Sequence, residues 1–229
     1  MPDKYIIASS KKWNADLANK LNEKCKSEFF YISSPKQLTT ELIDAVKPKI
    51  IFFPHWSYFI NSNIHDKHEC VIFHMTDLPY GRGGSPLQNL ISNKIYDTKI
   101  SALRCTKEVD AGPIYLKRPL SLFGTAEEIF IRSSEVIGEM IVEIIQKNLI
   151  PAEQEGFVTK FVRRIPEQGN LVDVTTIEQA FDRIRMLDAD GYPNAFIEFG
   201  GLKFEFSRAS LKTDGIVADV KISIRSKQK

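Results

Sequence analysis

A histidine follows a short apolar run and opens a segment rich in glycine and proline. The run Val71–Phe73 lacks polar–apolar alternation, which is typical of a strand covered on both faces of a parallel sheet. His74 comes next, and the segment continues to Pro86 with three glycines, two prolines and Arg82. Ligands of open α/β sheets bind at the carboxyl ends of strands, and glycine lets the backbone approach a ligand closely. The pattern predicts a ligand loop with a titratable imidazole, although an ordinary turn has a similar composition.

An acid lies in a second short segment, between the predicted strands Lys99–Cys105 and Ile114–Pro119. Asp110 stands beside Gly112-Pro113, where an acid is often only a turn former. It gains a chemical role if it pairs with His74, because a carboxylate fixes the tautomer of an imidazole and stabilises its cation. A contact between these two side chains would favour an enzyme.

Aromatic and apolar side chains fill a third segment, Phe53–Ile60, at the end of the predicted strand Ile50–Phe53. They could line a slot for a flat heterocycle, and core packing is the alternative. No metal is predicted, because the pair His65 and His68 has no further ligands close in sequence. The odd set of cysteines predicts buried thiols rather than disulfides or a zinc site. These are Cys25, Cys70 and Cys105.

The elements that must position these residues alternate between strand and helix from residue 1 to about 148. A strand at Tyr5–Ser9 precedes an apolar face at four-residue spacing over 13–25, and a further strand and helix follow. Thr125 and Glu128 predict the cap of a long helix. We predict an α/β fold with a Rossmann-like open, mainly parallel sheet and helices on both faces.

The composition changes after Pro151, which suggests a second module. A helix is predicted over Thr176–Leu187, and the strands Ala195–Phe199 and Leu202–Arg208 flank Gly200-Gly201 as a hairpin. The predicted parts are a catalytic domain at 1–150, a linker at 151–171 and a small C-terminal α+β module at 172–229.

Bulk properties limit the classes of protein that fit. The chain has 229 residues, 43% of them hydrophobic, and a net charge of +2. Near-neutral charge does not favour a nucleic-acid binder, which needs a clustered excess of Lys and Arg. Neither a signal peptide nor a run of about 18 apolar residues is present, so we expect a cytoplasmic protein without a membrane partner.

The first two segments together resemble the two signatures of folate-dependent formyltransferases. The matching runs are His74-x-Thr76-x-Leu78-Pro79-x-x-Arg82-Gly83 and Val109-Asp110-Ala111-Gly112-Pro113-Ile114, about 35 residues apart. This family includes methionyl-tRNA formyltransferase, phosphoribosylglycinamide formyltransferase and nucleotide-sugar N-formyltransferases. Residues 172–209 are also similar to the start of the C-terminal module of the tRNA and sugar enzymes, through Arg185-x-Leu187 and Tyr192-Pro193-x-Ala195-Phe196.

The resemblance implies 10-formyltetrahydrofolate as co-substrate, no metal, and a role for each matched residue. His74 would be the catalytic histidine and Asp110 its carboxylate partner. The folate would contact Trp56, Ser57, Tyr58, Phe59 and Ile60, with Leu78 and Val109 opposite. The second substrate would contact Ser9, Lys11, Arg82, Gly83 and Asn89.

One position departs from the family pattern. Ile72 stands where the family has an asparagine that helps hold the formyl oxygen. Candidate replacement donors are His55, Asn89 and a backbone N–H in 82–84. We favour His55 as a catalytic donor, because neighbouring parallel strands lie about 5 Å apart and their end residues are adjacent.

The resemblance leaves the acceptor amine open. A short C-terminal module and near-neutral charge favour a nucleotide-linked amino-deoxy sugar, such as the UDP-4-amino-4,6-dideoxy hexose of pseudaminic-acid-type surface polysaccharide biosynthesis. Nucleic acid is then not expected as a partner, and a homodimer is left open. The alternatives are a methionyl-tRNA formyltransferase or a relative, and a folate- or nucleotide-sugar-binding protein without catalysis.

Overall fold

A computed structural model describes residues 2–224, which form two compact units interleaved along the chain. The first comprises residues 2–83, 98–120 and 130–160, and the second comprises 84–97, 121–129 and 161–224. The predicted boundaries at 150 and 172 divide the chain into consecutive pieces instead, and that domain division stays a prediction.

The first unit is built on a six-stranded sheet with strand order β2-β1-β3-β4-β6-β7. Its strands are β1 (Lys4–Ala8), β2 (Glu28–Ile32), β3 (Ile50–Phe53), β4 (Cys70–His74), β6 (Asp97–Arg104) and β7 (Ile114–Ser121). β1 to β4 pair in parallel, and β6 pairs antiparallel with β4. Ile6, Phe52 and Val71 have no exposed surface, as expected of strands covered on both faces. The predicted α/β fold class is confirmed.

Helices alternate with the strands along the chain. They are α1 (Leu17–Lys24), α2 (Thr40–Val46), α3 (Ser62–His65), α4 (Pro86–Ser92), α5 (Ala126–Gln146) and α6 (Ile177–Arg185). The predicted cap of α5 forms: the Thr125 hydroxyl accepts from Glu128 N, and the Glu128 carboxylate accepts from Thr125 N. In the part of the chain that the structure describes, no helix is long and apolar enough to cross a membrane.

The second unit contains a three-stranded antiparallel sheet of order β11-β10-β9. Its strands are β9 (Ala195–Phe199), β10 (Leu202–Leu211) and β11 (Ile216–Ile224). Gly200 and Gly201 have φ of 57° and 81°, as the predicted tight hairpin requires. β11 was not predicted, and residues 225–229 lie outside the described residues.

Arg185, the last residue of α6, is buried, and its guanidinium makes hydrogen bonds within the protein. Its Nη1 donates to the carbonyls of Leu122 and Gly124 at 2.6 and 2.8 Å, and its Nε donates to Asp182 at 2.7 Å. The side chain therefore satisfies the carbonyl of Leu122, a buried residue, and also that of Gly124. Two short strands, β5 (Arg82–Gly83) and β8 (Lys160–Phe161), form a separate ladder.

Candidate active site

His74 ends β4 and has only 8% of its surface exposed. Its Nε2 lies 2.8 Å from the carbonyl oxygen of Gly81. A carbonyl can only accept, so Nε2 carries the hydrogen in this arrangement. Nδ1 faces the carboxylate of Asp110, with 3.5 Å between Nδ1 and Oδ2. The structure therefore brings together the two residues that the sequence proposes as a catalytic pair.

Asp110 sits between β6 and β7 in a left-handed backbone conformation, with φ of 54°. Its carboxylate accepts a hydrogen bond of 2.9 Å from Gly83 N, which joins the two signature segments directly. An added Cβ at Gly112 would lie 2.0 Å from the carbonyl oxygen of Arg104. Glycine is therefore required there, because the loop that carries Asp110 lies against the end of β6.

Arg82 is held by the protein rather than directed freely at a ligand. Its Nε and Nη2 donate to Oε1 of Gln154 at 3.2 and 2.9 Å, and Nη1 lies 3.6 Å from Glu108. The side-chain amide of Gln154 in turn donates to the carbonyls of Asp110 and Gly112, both at 2.8 Å.

Thr159 holds the glycine-rich loop from the same stretch of chain. Its hydroxyl accepts from Gly81 N at 2.7 Å, and its carbonyl accepts from Arg82 N at 3.0 Å. Thr159 and Gln154 were not predicted as functional residues, because both lie in the predicted linker 151–171, where no periodicity or motif distinguishes them.

The aromatic segment divides into a buried part and an exposed part. Phe59 and Tyr58 are 83% and 49% exposed, and Val109 is 63% exposed. Ile60 and Leu78 are buried, with Ile60 in the apolar core. Exposed apolar side chains can take up a flat ligand, whereas Ile60 and Leu78 pack inside the protein. Ser57 is exposed, and Trp56 packs edge-on against Tyr58 with 5.2 Å between ring centroids.

His55 has both ring nitrogens engaged by the protein. Nδ1 accepts from Trp13 Nε1 at 2.9 Å and faces Asn14 Nδ2 at 3.1 Å, while Nε2 lies 3.2 Å from Ser133 Oγ. The residue keeps some exposed surface, but its ring nitrogens are enclosed, and burial together with Lys11 lowers its pKa to about 3. This geometry leaves no ring hydrogen for a substrate oxygen, so it does not support His55 as the donor that replaces the asparagine.

The remaining residues proposed for the second substrate lie in different surroundings. Ser9 is fully buried and its hydroxyl accepts from Asn14 at 2.9 Å, so it does not face a substrate. Lys11 places its ammonium 5.6 Å from the centre of the Trp13 ring. Asn89 belongs to the second unit, where its amide donates to the carbonyls of Gly84 and Val162, both at 3.0 Å.

Metal-binding residues do not gather within residues 2–224. No group of three or more His, Cys, Asp or Glu side chains is placed to hold an ion there, and His65 pairs with Asp66 at 2.9 Å. The three cysteines are free thiols. Burial raises the pKa of Cys70, and it raises the pKa of Cys105 to about 11.

Comparisons with known proteins place the chain in a family. A family model described as the C-terminal domain of methionyl-tRNA formyltransferase matches residues 166–223. The structure of a methionyl-tRNA formyltransferase from Clostridium thermocellum is 47% identical, with a TM-score of 0.94 over 97% of this chain and 100% of that one. The chain belongs to the methionyl-tRNA formyltransferase family. The prediction of a folate-dependent formyltransferase is confirmed at this level.

Two less similar relatives show how far the similarity extends. The methionyl-tRNA formyltransferase of Thermotoga neapolitana is 27% identical over 69% of this chain and 53% of its own length. The chain thus spans about half the length of the curated relatives that it matches. A 4-N formyltransferase from Francisella tularensis is 14% identical with a TM-score of 0.66, over 99% and 98% of the two chains, which shows a shared fold alone.

These comparisons correct two predictions. The assignment to a nucleotide-linked amino sugar of a pseudaminic-acid-type pathway is wrong, because it took a short C-terminal module as evidence against a tRNA enzyme. The Clostridium thermocellum protein is matched over its whole length and carries the tRNA enzyme's name. The expectation that nucleic acid is not a partner is also wrong, because the relatives are named for a tRNA substrate. Net charge averages over a whole surface and does not report local contacts.

Proposed function

We propose that this chain transfers the formyl group of 10-formyltetrahydrofolate to the amine of methionyl-tRNA, in the cytoplasm. The observation that carries the proposal is the His74–Asp110 pair at the end of β4, with the Nε2 hydrogen already directed at a carbonyl oxygen. The names of the relatives support the acceptor.

The residues present fit a folate. Tyr58 and Phe59, in the segment Phe53–Ile60, and Val109, in the second signature, offer exposed apolar surface for a flat ring system. The folate supplies an activated formyl group. Ser9 and Asn89 are hydrogen bonded within the protein, so we do not assign either to the second substrate.

In the proposed mechanism, His74 donates a hydrogen bond and Asp110 accepts a proton. When the amine nitrogen attacks the formyl carbon, negative charge develops on the formyl oxygen, and the Nε2–H of His74 must leave the Gly81 carbonyl to donate to that oxygen. Such a donor contributes about 3–4 kcal/mol to lowering the barrier. Asp110 stabilises the imidazole and accepts the proton that leaves the amine, directly or through a water. The bond from the formyl carbon to the folate nitrogen would then break, and that nitrogen would take up the proton that Asp110 accepted, which restores the carboxylate.

The test is formyl transfer by the purified chain. The chain is incubated with 10-formyltetrahydrofolate and methionyl-tRNA, and both tetrahydrofolate release and formylmethionine on the tRNA are measured. Free methionine and uncharged tRNA serve as controls. Folate binding without release in any arm would favour the non-catalytic alternative and overturn the proposal.

A further inference from the structure

Gln154 joins the two signature segments through one side-chain amide. We propose that Gln154 is a positioning residue for the transfer reaction, which holds the loop of Asp110 in place relative to Arg82 and His74. This inference rests on the proposed function, because it concerns the same catalytic pair. It assigns a role to a residue outside both signatures.

The hydrogen-bonding capacity of this amide is fully used. Oε1 accepts from Nε and Nη2 of Arg82, and Nε2 donates to the carbonyls of Asp110 and Gly112. An amide has two hydrogens to donate and two lone pairs to accept, so no capacity is left for a substrate. The orientation of the amide is also determined, since the reverse would place its NH₂ group against the guanidinium. Gln154 therefore acts on the protein and not on a ligand.

The loop that Gln154 holds carries Asp110, so the position of this loop affects the catalytic pair. Asp110 keeps a left-handed backbone with φ of 54°, a conformation that few non-glycine residues adopt and that aspartate tolerates better than most. The Nδ1–Oδ2 separation is 3.5 Å, so the position of this loop sets how closely the carboxylate approaches the imidazole. The two bonds from Gln154 act on the backbone of this loop, on both sides of Ala111.

Other contacts keep the segment 152–159 docked without the amide of Gln154. Ala152 pairs with Ile114 through backbone bonds of 2.7 and 2.9 Å, and Thr159 is bonded to Gly81 and Arg82. Loss of the amide should therefore leave the fold intact and release only the Asp110 loop and the Arg82 guanidinium. A residue needed merely for stability would behave differently.

The experiment compares Gln154→Ala and Gln154→Glu with Glu155→Ala, an exposed neighbour, as the matched control. The carboxylate introduced by Gln154→Glu can still accept from Arg82 but cannot donate to the two carbonyls, so this variant separates the two halves of the bridge. For both Gln154 variants we expect kcat to fall by about 10- to 100-fold, because a misplacement of about 1 Å has that effect. The KM for 10-formyltetrahydrofolate should stay within about twofold, as only positioning is lost.

A second measurement does not depend on the acceptor. The chain has four histidines, so the ring signals of histidine-labelled protein can be assigned with a His74→Ala variant. We expect the His74 ring signal to move in Gln154→Ala and to stay unchanged in Glu155→Ala, with the His55 signal constant in both. An unmoved His74 signal, or a raised KM with unchanged kcat, would overturn the inference. Wild-type protein that fails to formylate methionyl-tRNA would instead overturn the proposed function, while the His74 signal would still test Gln154.

Discussion

At the scale of single residues, His74 carries its hydrogen on Nε2 and faces a carboxylate through Nδ1. We expect His74→Ala and Asp110→Ala each to lower kcat by about 100- to 1000-fold, the loss that follows removal of an oxyanion donor or its support. The double variant should be little worse than either single one, because groups that act as one unit are strongly non-additive. The measurement is steady-state formyl transfer on folded protein.

The control for this pair is the fold of each variant, monitored by circular dichroism. Near-normal kcat in either single variant would refute the assignment of the pair. Additive losses would show that the two residues act independently.

Ile72 offers a gain-of-function test at the position where the resemblance to the family implies an asparagine. Ile72 lies two residues before His74 in β4, so both side chains are on the same face of the strand. We expect Ile72→Asn to raise kcat by up to about 100-fold if the new amide reaches the formyl oxygen. Ile72→Val is the control for altered packing. Equal kcat in the Asn and Val variants would mean that another donor already serves the oxyanion.

His55 leads to a prediction about stability rather than rate. Its folded-state pKa is about 3, whereas an unfolded histidine titrates near 6.5. Between these values the unfolded chain binds a proton that the folded chain does not. Stability from His55 is therefore complete above about pH 6.5 and is lost as pH falls, by up to ~1.4 kcal/mol per pH unit.

The comparison for His55 is His55→Asn, whose free energy of unfolding should depend less on pH. Urea unfolding at about pH 7.5, 6.5 and 5.5 measures the difference between the two slopes. The kcat of the variant should stay within about twofold of the wild type. A kcat reduced by about 100-fold with the fold intact would instead restore His55 as an oxyanion donor.

At the scale of elements, the loop between β6 and β7 depends on one close approach. A Cβ at position 112 would lie 2.0 Å from Arg104 O, a backbone atom that cannot move without disturbing β6. We expect Gly112→Ala to destabilise the protein by about 1–3 kcal/mol, the usual cost of overpacking, and to reduce activity by displacing Asp110. Thermal unfolding measures the first effect and formyl transfer the second.

Gly215→Ala is the matched control for this prediction, because a Cβ there meets no atom within 4 Å. Its melting temperature and activity should resemble those of the wild type. An equal loss in both variants would show that the effect belongs to glycine replacement in general and not to the contact with Arg104.

At the scale of the whole molecule, the proposed acceptor is a polyanion, so its binding should depend on salt even though the net charge of the chain is only +2. If roughly three phosphates are neutralised, raising KCl from about 50 to 200 mM should weaken binding of methionyl-tRNA by ~20- to 50-fold. A protein with 6–10 phosphate contacts would lose roughly 10³–10⁵ in affinity. Fluorescence anisotropy at several salt concentrations measures the slope. A salt dependence near zero would contradict phosphate contacts in acceptor binding.

The sequence by itself determined much of the architecture and the central pair. His74 and Asp110 were paired from the two signature segments, and the structure brings them together although β4 and β6 run antiparallel, with their carboxyl ends toward opposite edges of the sheet. The hairpin at Gly200-Gly201 and the cap at Thr125 are local, because they depend on residues within a few positions of one another.

The tertiary structure alone decided what surrounds that pair and which candidates are free to act. Gln154 reaches Asp110 across 44 residues of sequence, and His55 reaches Trp13 across 42 and Ser133 across 78. Periodicity and turn chemistry describe only neighbouring residues, so such contacts leave no local signal. His55 therefore looked available as a donor until packing showed both of its nitrogens engaged, and Gln154 looked like linker until packing placed it between the two signatures.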